Sequence, residues 1–112
     1  MKEKIISFDF DGVLTSLKYV KWFRLRRKHG EDIVIISSRD NTKENMKEVC
    51  ETSGLEKNKI FLCGGFMNKL KEIKKLIDKN PDKDIIHIDD DVSVKDFFDN
   101  FDFDNLEIQI VK

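Results

Sequence analysis

Four short polar sets in this chain carry residue types suited to handling phosphate. Asp9 and Asp11 flank Phe10 and are followed by Gly12; Ser37, Ser38 and Arg39 form the second set; Gly64 and Gly65 lead to Lys69; and Asp89, Asp90 and Asp91 form an acidic run. If the first and last sets meet, the chemistry follows from charge. Two carboxylates about 4 Å apart repel by about 4 kcal/mol at an effective dielectric near 20. Gathering Asp9, Asp11, Asp89 and Asp90 without a cation therefore raises their pKa values or drives their loops apart. A hard divalent ion removes the conflict, and Mg2+ held by a few carboxylates, waters and substrate phosphate is the usual arrangement. The same ion offsets the charge of a phosphate that carboxylates alone would repel. A lysine in the first turn of a helix, as expected of Lys69 after an Asn68 cap, opposes the helix macrodipole unless an anion sits there. Ser37 adds a hydroxyl donor.

Each set also has a plainer explanation. Acids at a helix N-terminus contribute roughly 0.3–1 kcal/mol each, so Asp89–Asp91 could serve as caps, although Ser93 with Asp96 already fits a capping box. Asp and Gly are common where a strand exits into a turn. Lys69 could be a solvated lysine, with Lys71 as rival for its role, and Ser-Ser is a common turn sequence.

The positioning elements can be read from hydrophobic pattern. Lys4–Phe8, Ile33–Ile36, Ile60–Leu62, Ile85–Ile88 and Leu106–Val111 are short runs rich in Ile, Val and Phe. Runs apolar on both faces suit a buried parallel sheet, with helices in right-handed crossovers. Met46, Val49 and Cys50 recur at helical spacing, with Asn41 and Glu44 as start signals and Gly54 as a stop. Leu70, Ile73, Leu76 and Ile77 form a second stripe before Pro81, and Val94, Phe97, Phe98 and Phe101 a third. Leu17–His29 reads as a first crossover helix with an irregular first turn. Its apolar residues, Trp22 among them, are too many for one stripe, so a second apolar face toward a partner subunit or substrate is the sharper alternative. The expected fold is one α/β domain over residues 1–112: a doubly wound, Rossmann-like parallel sheet of about five strands, order 3-2-1-4-5. Ligands in such sheets bind beyond the carboxyl ends of strands where the order reverses. That order makes the first and fourth strands neighbours there and brings both acidic sets together.

Bulk properties narrow the function classes. At 112 residues there is room for one core and no second lobe. With 21 basic against 22 acidic groups and a net charge of -1, binding nucleic acid by bulk charge is not expected. The basic cluster Arg24, Arg26, Arg27 and Lys28 is the local exception, and such a cluster is more often a solvated helix face. No apolar stretch approaches a membrane span, and Met1-Lys2-Glu3-Lys4 runs into a strand-like segment without a secretory pattern. Cys50 and Cys63 lack metal-ligand spacing and read as buried, reduced cysteines of a cytoplasmic protein. His29 and His87 read as a surface and a strand residue.

The four sets, in this order, resemble the haloacid dehalogenase-like (HAD) hydrolase superfamily over essentially the whole chain. The matching stretches are Phe8-Asp9-Phe10-Asp11-Gly12-Val13-Leu14, Ile35-Ile36-Ser37-Ser38-Arg39, Lys69 opening its helix, and Ile88-Asp89-Asp90-Asp91. The resemblance implies a Mg2+-dependent phosphatase cleaving a phosphate monoester through an aspartyl-phosphate. Asp9 would be nucleophile and Asp11 acid and base; Gly12, Ser37, Ser38 and Lys69 would bind phosphate. Mg2+ would bind Asp9, the backbone carbonyl of Asp11, and Asp89 or Asp90. The chain departs from the larger family members: neither the Asp11–Ile33 interval nor the next can hold a cap domain. Capless members generally act on macromolecular phosphates, such as a polynucleotide end or a phosphoprotein, or close their sites with a neighbouring subunit in a homo-oligomer.

Two other functions compete. A receiver-type phosphoacceptor would place its aspartate after the third strand, where Leu62-Cys63-Gly64 offers none. A catalytically silent relative serving as a metal- or phosphate-binding assembly module would keep the same residues without turnover.

Overall fold

The computed structural model describes Glu3–Val111, except for the side chain of Leu17. The expectations for Met1 and Lys2 lie outside the described residues. Five strands form one parallel sheet: β1 (Lys4–Phe8), β2 (Asp32–Ser37), β3 (Ile60–Leu62), β4 (Asp84–Asp89) and β5 (Leu106–Ile110), in the order β3-β2-β1-β4-β5. Four helices connect them: α1 (Leu17–Lys28), α2 (Lys43–Ser53), α3 (Phe66–Lys79) and α4 (Val92–Phe98). The expected architecture and strand order are those observed.

Side-chain alternation along the strands divides the core in two. Ile6, Phe8, Ile33, Ile35 and Ile88 pack with Val13, Leu14, Phe23 and Val49 on the α1/α2 face. Ile5, Val34, Ile36 and Ile85 pack with Leu70, Ile73, Ile77, Val94 and Phe98 on the α3/α4 face. Each large apolar side chain so buried contributes about 1.5–3 kcal/mol. Phe8, directly before Asp9, makes edge-on ring contacts with Trp22 and Phe23, at centroid distances of 5.7 and 5.0 Å, which anchor α1 beneath the first loop.

Helix boundaries show where local signals were misleading. α2 is capped by Thr42, whose side chain accepts from the Asn45 amide, rather than started by Asn41. It ends as expected at Gly54, in the left-handed region at φ 72°. α3 starts after Gly65, so Asn68 is not its cap; the Asn68 amide group donates instead to the Cys63 carbonyl. α4 is capped by Asp91, which accepts from the Ser93 amide, so the box centred on Ser93 is two residues out of phase. That helix stops at Phe98, and half-exposed Phe101 leaves the stripe to stack on Phe103. The irregularity expected in the first turn of α1 precedes it, as a kinked turn over Phe10–Leu14. Val20 and Phe23 of α1 face the core, and Leu25 stands in solvent. Cys50 and Cys63 are half-buried free thiols, not fully buried ones. No helix among the described residues is long and apolar enough to cross a membrane.

Candidate active site

β1 and β4 are direct neighbours at the point where strand order reverses, with Phe8 opposite Ile88 and the Asp9 amide donating to the Ile88 carbonyl. This pairing brings the two acidic sets together. One carboxylate oxygen from each of Asp9, Asp89 and Asp90 lies within 4.8 Å of the others. Asp9 and Asp89 continue the alternation of Ile5 and Ile85 and so face α3. There the buried Lys69 places Nζ 3.0 Å from Asp9 Oδ1 and 2.6 Å from Asp89 Oδ2. Lys71 is exposed on the opposite side of the helix, so of the two lysines Lys69 is the one beside the acids.

The loops that hold this arrangement are stitched across strand ends. The Cys63 amide donates to the Ser37 carbonyl and the Gly64 amide to the Arg39 carbonyl. Gly64 and Gly65 both adopt positive φ, which turns the chain sharply enough to begin α3 beside the site. Gly12, at φ 79°, has a more specific reason to lack a side chain. A Cβ there would lie 1.9 Å from the Asp90 carboxylate, which leans across this position. Its amide donates to Thr15 Oγ1, and the absent side chain makes room for Asp90.

The acids are electrostatically unequal. Burial, with the nearby Asp89 charge, pushes the Asp9 carboxyl up to about 7 despite Lys69. Burial acts on Asp89 in the same direction. There the His87 hydrogen bond and Lys69 charge outweigh it and hold the carboxyl well below its ordinary range. Lys69 is desolvated, but its two carboxylates raise its pKa and keep it charged.

Lone-pair use separates the three aspartates at the end of β4. Asp89 Oδ2 accepts from both His87 and Lys69, and its Oδ1 accepts from the Asp91 amide. Asp91 is occupied as the α4 cap. Asp90 makes no hydrogen bond or ion pair among the described residues and keeps its full acceptor capacity. The Asp9 carboxylate meets Lys69 at Oδ1 and accepts a backbone hydrogen bond from Phe10. All-oxygen donors, one of them unpartnered and another with its ionisation suppressed, fit a hard cation such as Mg2+. Asp90 and Asp9 would be its principal side-chain holders.

The remaining expected residues divide between this centre and its rim. Ser37 is buried at the end of β2; its Oγ accepts from the Arg39 amide at 3.1 Å, leaving the hydroxyl proton to donate elsewhere. Ser38 is exposed and makes no hydrogen bond among the described residues. The Asp11 carboxylate lies apart from the three-acid cluster. Arg39 grips it through Nε and Nη2 at 2.9 and 2.8 Å, stacks over Phe10, and is held from behind by Glu48 of α2. The basic run on α1 is partly structural: Arg26 pairs with Glu31 and covers Trp22, and Arg27 donates to the Ser53 carbonyl. A concavity of about 600 Å³ along α2, near Met46 and Cys50, contains none of the clustered acids. Charge locates this site better than volume does.

No protein-family model matches the chain, and no curated protein is significantly similar to it.

Proposed function

We propose that the chain is a Mg2+-dependent phosphatase of the HAD type, hydrolysing a phosphate monoester with Asp9 as nucleophile. The observation that carries this reading is the position of Lys69 Nζ between Asp9 Oδ1 and Asp89 Oδ2. It sits at the sheet's topological reversal, with Asp90 unpartnered alongside. A buried cation among three acids is a poor structural device, because well-packed apolar residues usually serve stability as well or better. It is a good device for receiving a phosphoryl group. The motif resemblance described above supports the same assignment.

In this mechanism Lys69 and the Ser37 hydroxyl donate to phosphoryl oxygens and stabilise the charge that develops on them. When bound, Mg2+ supplies charge compensation for the carboxylates and the phosphate. Asp9 attacks phosphorus through Oδ2, the oxygen that Lys69 leaves free, and the bond to the leaving oxygen breaks. Asp11 gives that oxygen its proton. As a carboxylate, Asp11 then takes a proton from water while the water oxygen attacks phosphorus. The acyl-phosphate bond breaks, Asp9 returns as a carboxylate, and inorganic phosphate leaves. Asp11 must exchange Arg39 for the leaving group during this cycle, while Glu48 retains Arg39. The open site rim and the short interval after Asp11 favour a macromolecular phosphate, a polynucleotide end or a phosphoprotein, over an enclosed small molecule.

The grip of Arg39 on Asp11 favours one second reading, a binding module that holds metal and phosphate without turnover. Acid-quenched peptide mapping after mixing with Mg2+ and an aryl phosphate separates the two. The phosphatase carries a phosphoryl group on Asp9 during turnover. A protein that binds Mg2+ but is never phosphorylated and releases no phosphate is the module.

A further inference from the structure

Beneath the acid cluster lies a polar chain that the mechanism above does not use. Ser7 and His87 are register partners across β1 and β4, and both side chains are fully buried within otherwise apolar strands. Ser7 Oγ is 2.9 Å from His87 Nδ1, and His87 Nε2 is 2.8 Å from Asp89 Oδ2. We propose that Ser7 and His87 are positioning residues for Asp89, forming a directed chain in which the Ser7 hydroxyl donates to Nδ1 and Nε2–H donates to Asp89 Oδ2. This inference rests on reading the acid cluster as a metal and phosphate site.

Donor and acceptor inventory fixes the direction. Asp89 Oδ2 already receives the Lys69 ammonium, so as a carboxylate oxygen it can only accept, and Nε2 must carry a proton. In a neutral imidazole Nδ1 is then the acceptor, and the Ser7 hydroxyl is the donor beside it. An imidazolium would place a second buried cation against the oxygen that Lys69 already touches.

A valine or isoleucine at either position would continue the apolar strand with no polar group to satisfy, so the pair is not needed for packing. Its effect falls on Asp89. Rotating that carboxylate would break bonds to His87, Lys69 and the Asp91 amide together. Asp89 is therefore held in one orientation, which holds Lys69 Nζ against Asp9 Oδ1. A histidine that orients a ligating or phosphate-facing carboxylate acts as outer-shell support, and such partners typically contribute about 10–100-fold to metal affinity or activity.

The test uses the full chain labelled with 15N-histidine. Only His29 and His87 contribute signals, and His87→Gln assigns them. At neutral pH, without metal, His87 is expected in the neutral Nε2–H form. An Nδ1–H tautomer or an imidazolium there overturns the proposal. Calorimetric titration with MgCl2 supplies the second readout. His87→Leu should weaken Mg2+ binding about 10–100-fold, while His87→Gln, whose side-chain amide can donate from the Nε2 position, should keep most of it. A folded His87→Leu chain that binds Mg2+ like the native one overturns the positioning role. If His87→Leu does not fold, Ser7→Ala replaces it: loss of the donor to Nδ1 should shift the Nδ1 15N resonance towards that of an unbonded acceptor nitrogen and weaken Mg2+ binding. An unshifted Nδ1 resonance with native affinity overturns the proposal. Failure of the native chain to bind Mg2+ overturns the reading on which it rests, while the tautomer independently decides the hydrogen-bonded chain.

Discussion

At the scale of single residues, Asp9 is poised between two states. Its carboxyl titrates near 7 in the folded chain against an ordinary value of 3.8. A folded-state pKa raised in this way adds stability that is fully present below about pH 4 and is lost as pH rises through about 7. His87 has the opposite sign. Its folded-state pKa lies below 6.5, so its contribution is present above pH 6.5 and is lost as pH falls. The two oppose each other in mildly acidic solution, and subtracting a variant isolates one of them. Asp9→Asn should stabilise the metal-free fold by about 1–3 kcal/mol at pH 8, and the gain should fade toward pH 4. Denaturant unfolding at several pH values measures it, and a gain that grows toward low pH would contradict the assignment. Metal binding needs the ionised acid and releases its proton. Mg2+ affinity should therefore weaken about tenfold for each unit below about pH 7, which calorimetry in buffers of different ionisation enthalpy resolves.

At the scale of elements, the turn between β1 and α1 and the cap of α2 offer a matched pair of glycines. Both have positive φ, and an added side chain costs about 1–2 kcal/mol of backbone strain at either. Gly54→Ala should cost that much and leave phosphate chemistry unchanged, even though the Arg27 guanidinium must move aside. Gly12→Ala should cost similar stability and in addition displace Asp90, lowering Mg2+ affinity and turnover at least tenfold. Comparing melting temperature with activity in the two variants tests this, and equal activity in both would contradict the placement of Asp90. These elements differ in how legible they were. The apolar runs that became β1 to β5, the stripe of Leu70, Ile73 and Ile77, and the stop at Gly54 are local patterns, and the fold followed from them. Caps were less legible because Asp91 and Ser93, or Gly65 and Asn68, are equally good local signals a few residues apart, and packing selects between them. Asp9, Asp89 and Lys69 could be expected to converge once strand order was inferred. Asp11 gripped by Arg39, with Glu48 behind it, depends on side-chain directions across three elements, and no spacing encodes that. Ser7 and His87 did leave a trace, as polar residues within runs apolar on both faces. Their pairing needed the register of β1 against β4.

At the scale of the whole molecule, the sheet order makes the site a joint product of both halves of the chain. The carboxyl end of β1 leads into Asp9, β4 ends in Asp89 and leads into Asp90, and α3 supplies Lys69 over the same face. A ligand that binds only this assembled arrangement stabilises the whole fold by mass action, by about 2.7 kcal/mol at a concentration one hundred times its dissociation constant. Mg2+ should therefore raise the melting temperature of the native chain and not of Asp90→Asn, as thermal unfolding with and without chelator will show. Core truncation such as Phe23→Ala should cost about 3–5 kcal/mol and reduce activity only in proportion to the unfolded fraction. The central claim is that Asp9 attacks phosphorus with Mg2+ present. Its most direct test is hydrolysis of an aryl phosphate by the native chain and by Asp9→Asn, each with Mg2+ and with chelator. The account predicts turnover in the native chain with Mg2+ alone, abolished by chelator and by Asp9→Asn. Turnover that survives in Asp9→Asn would contradict it.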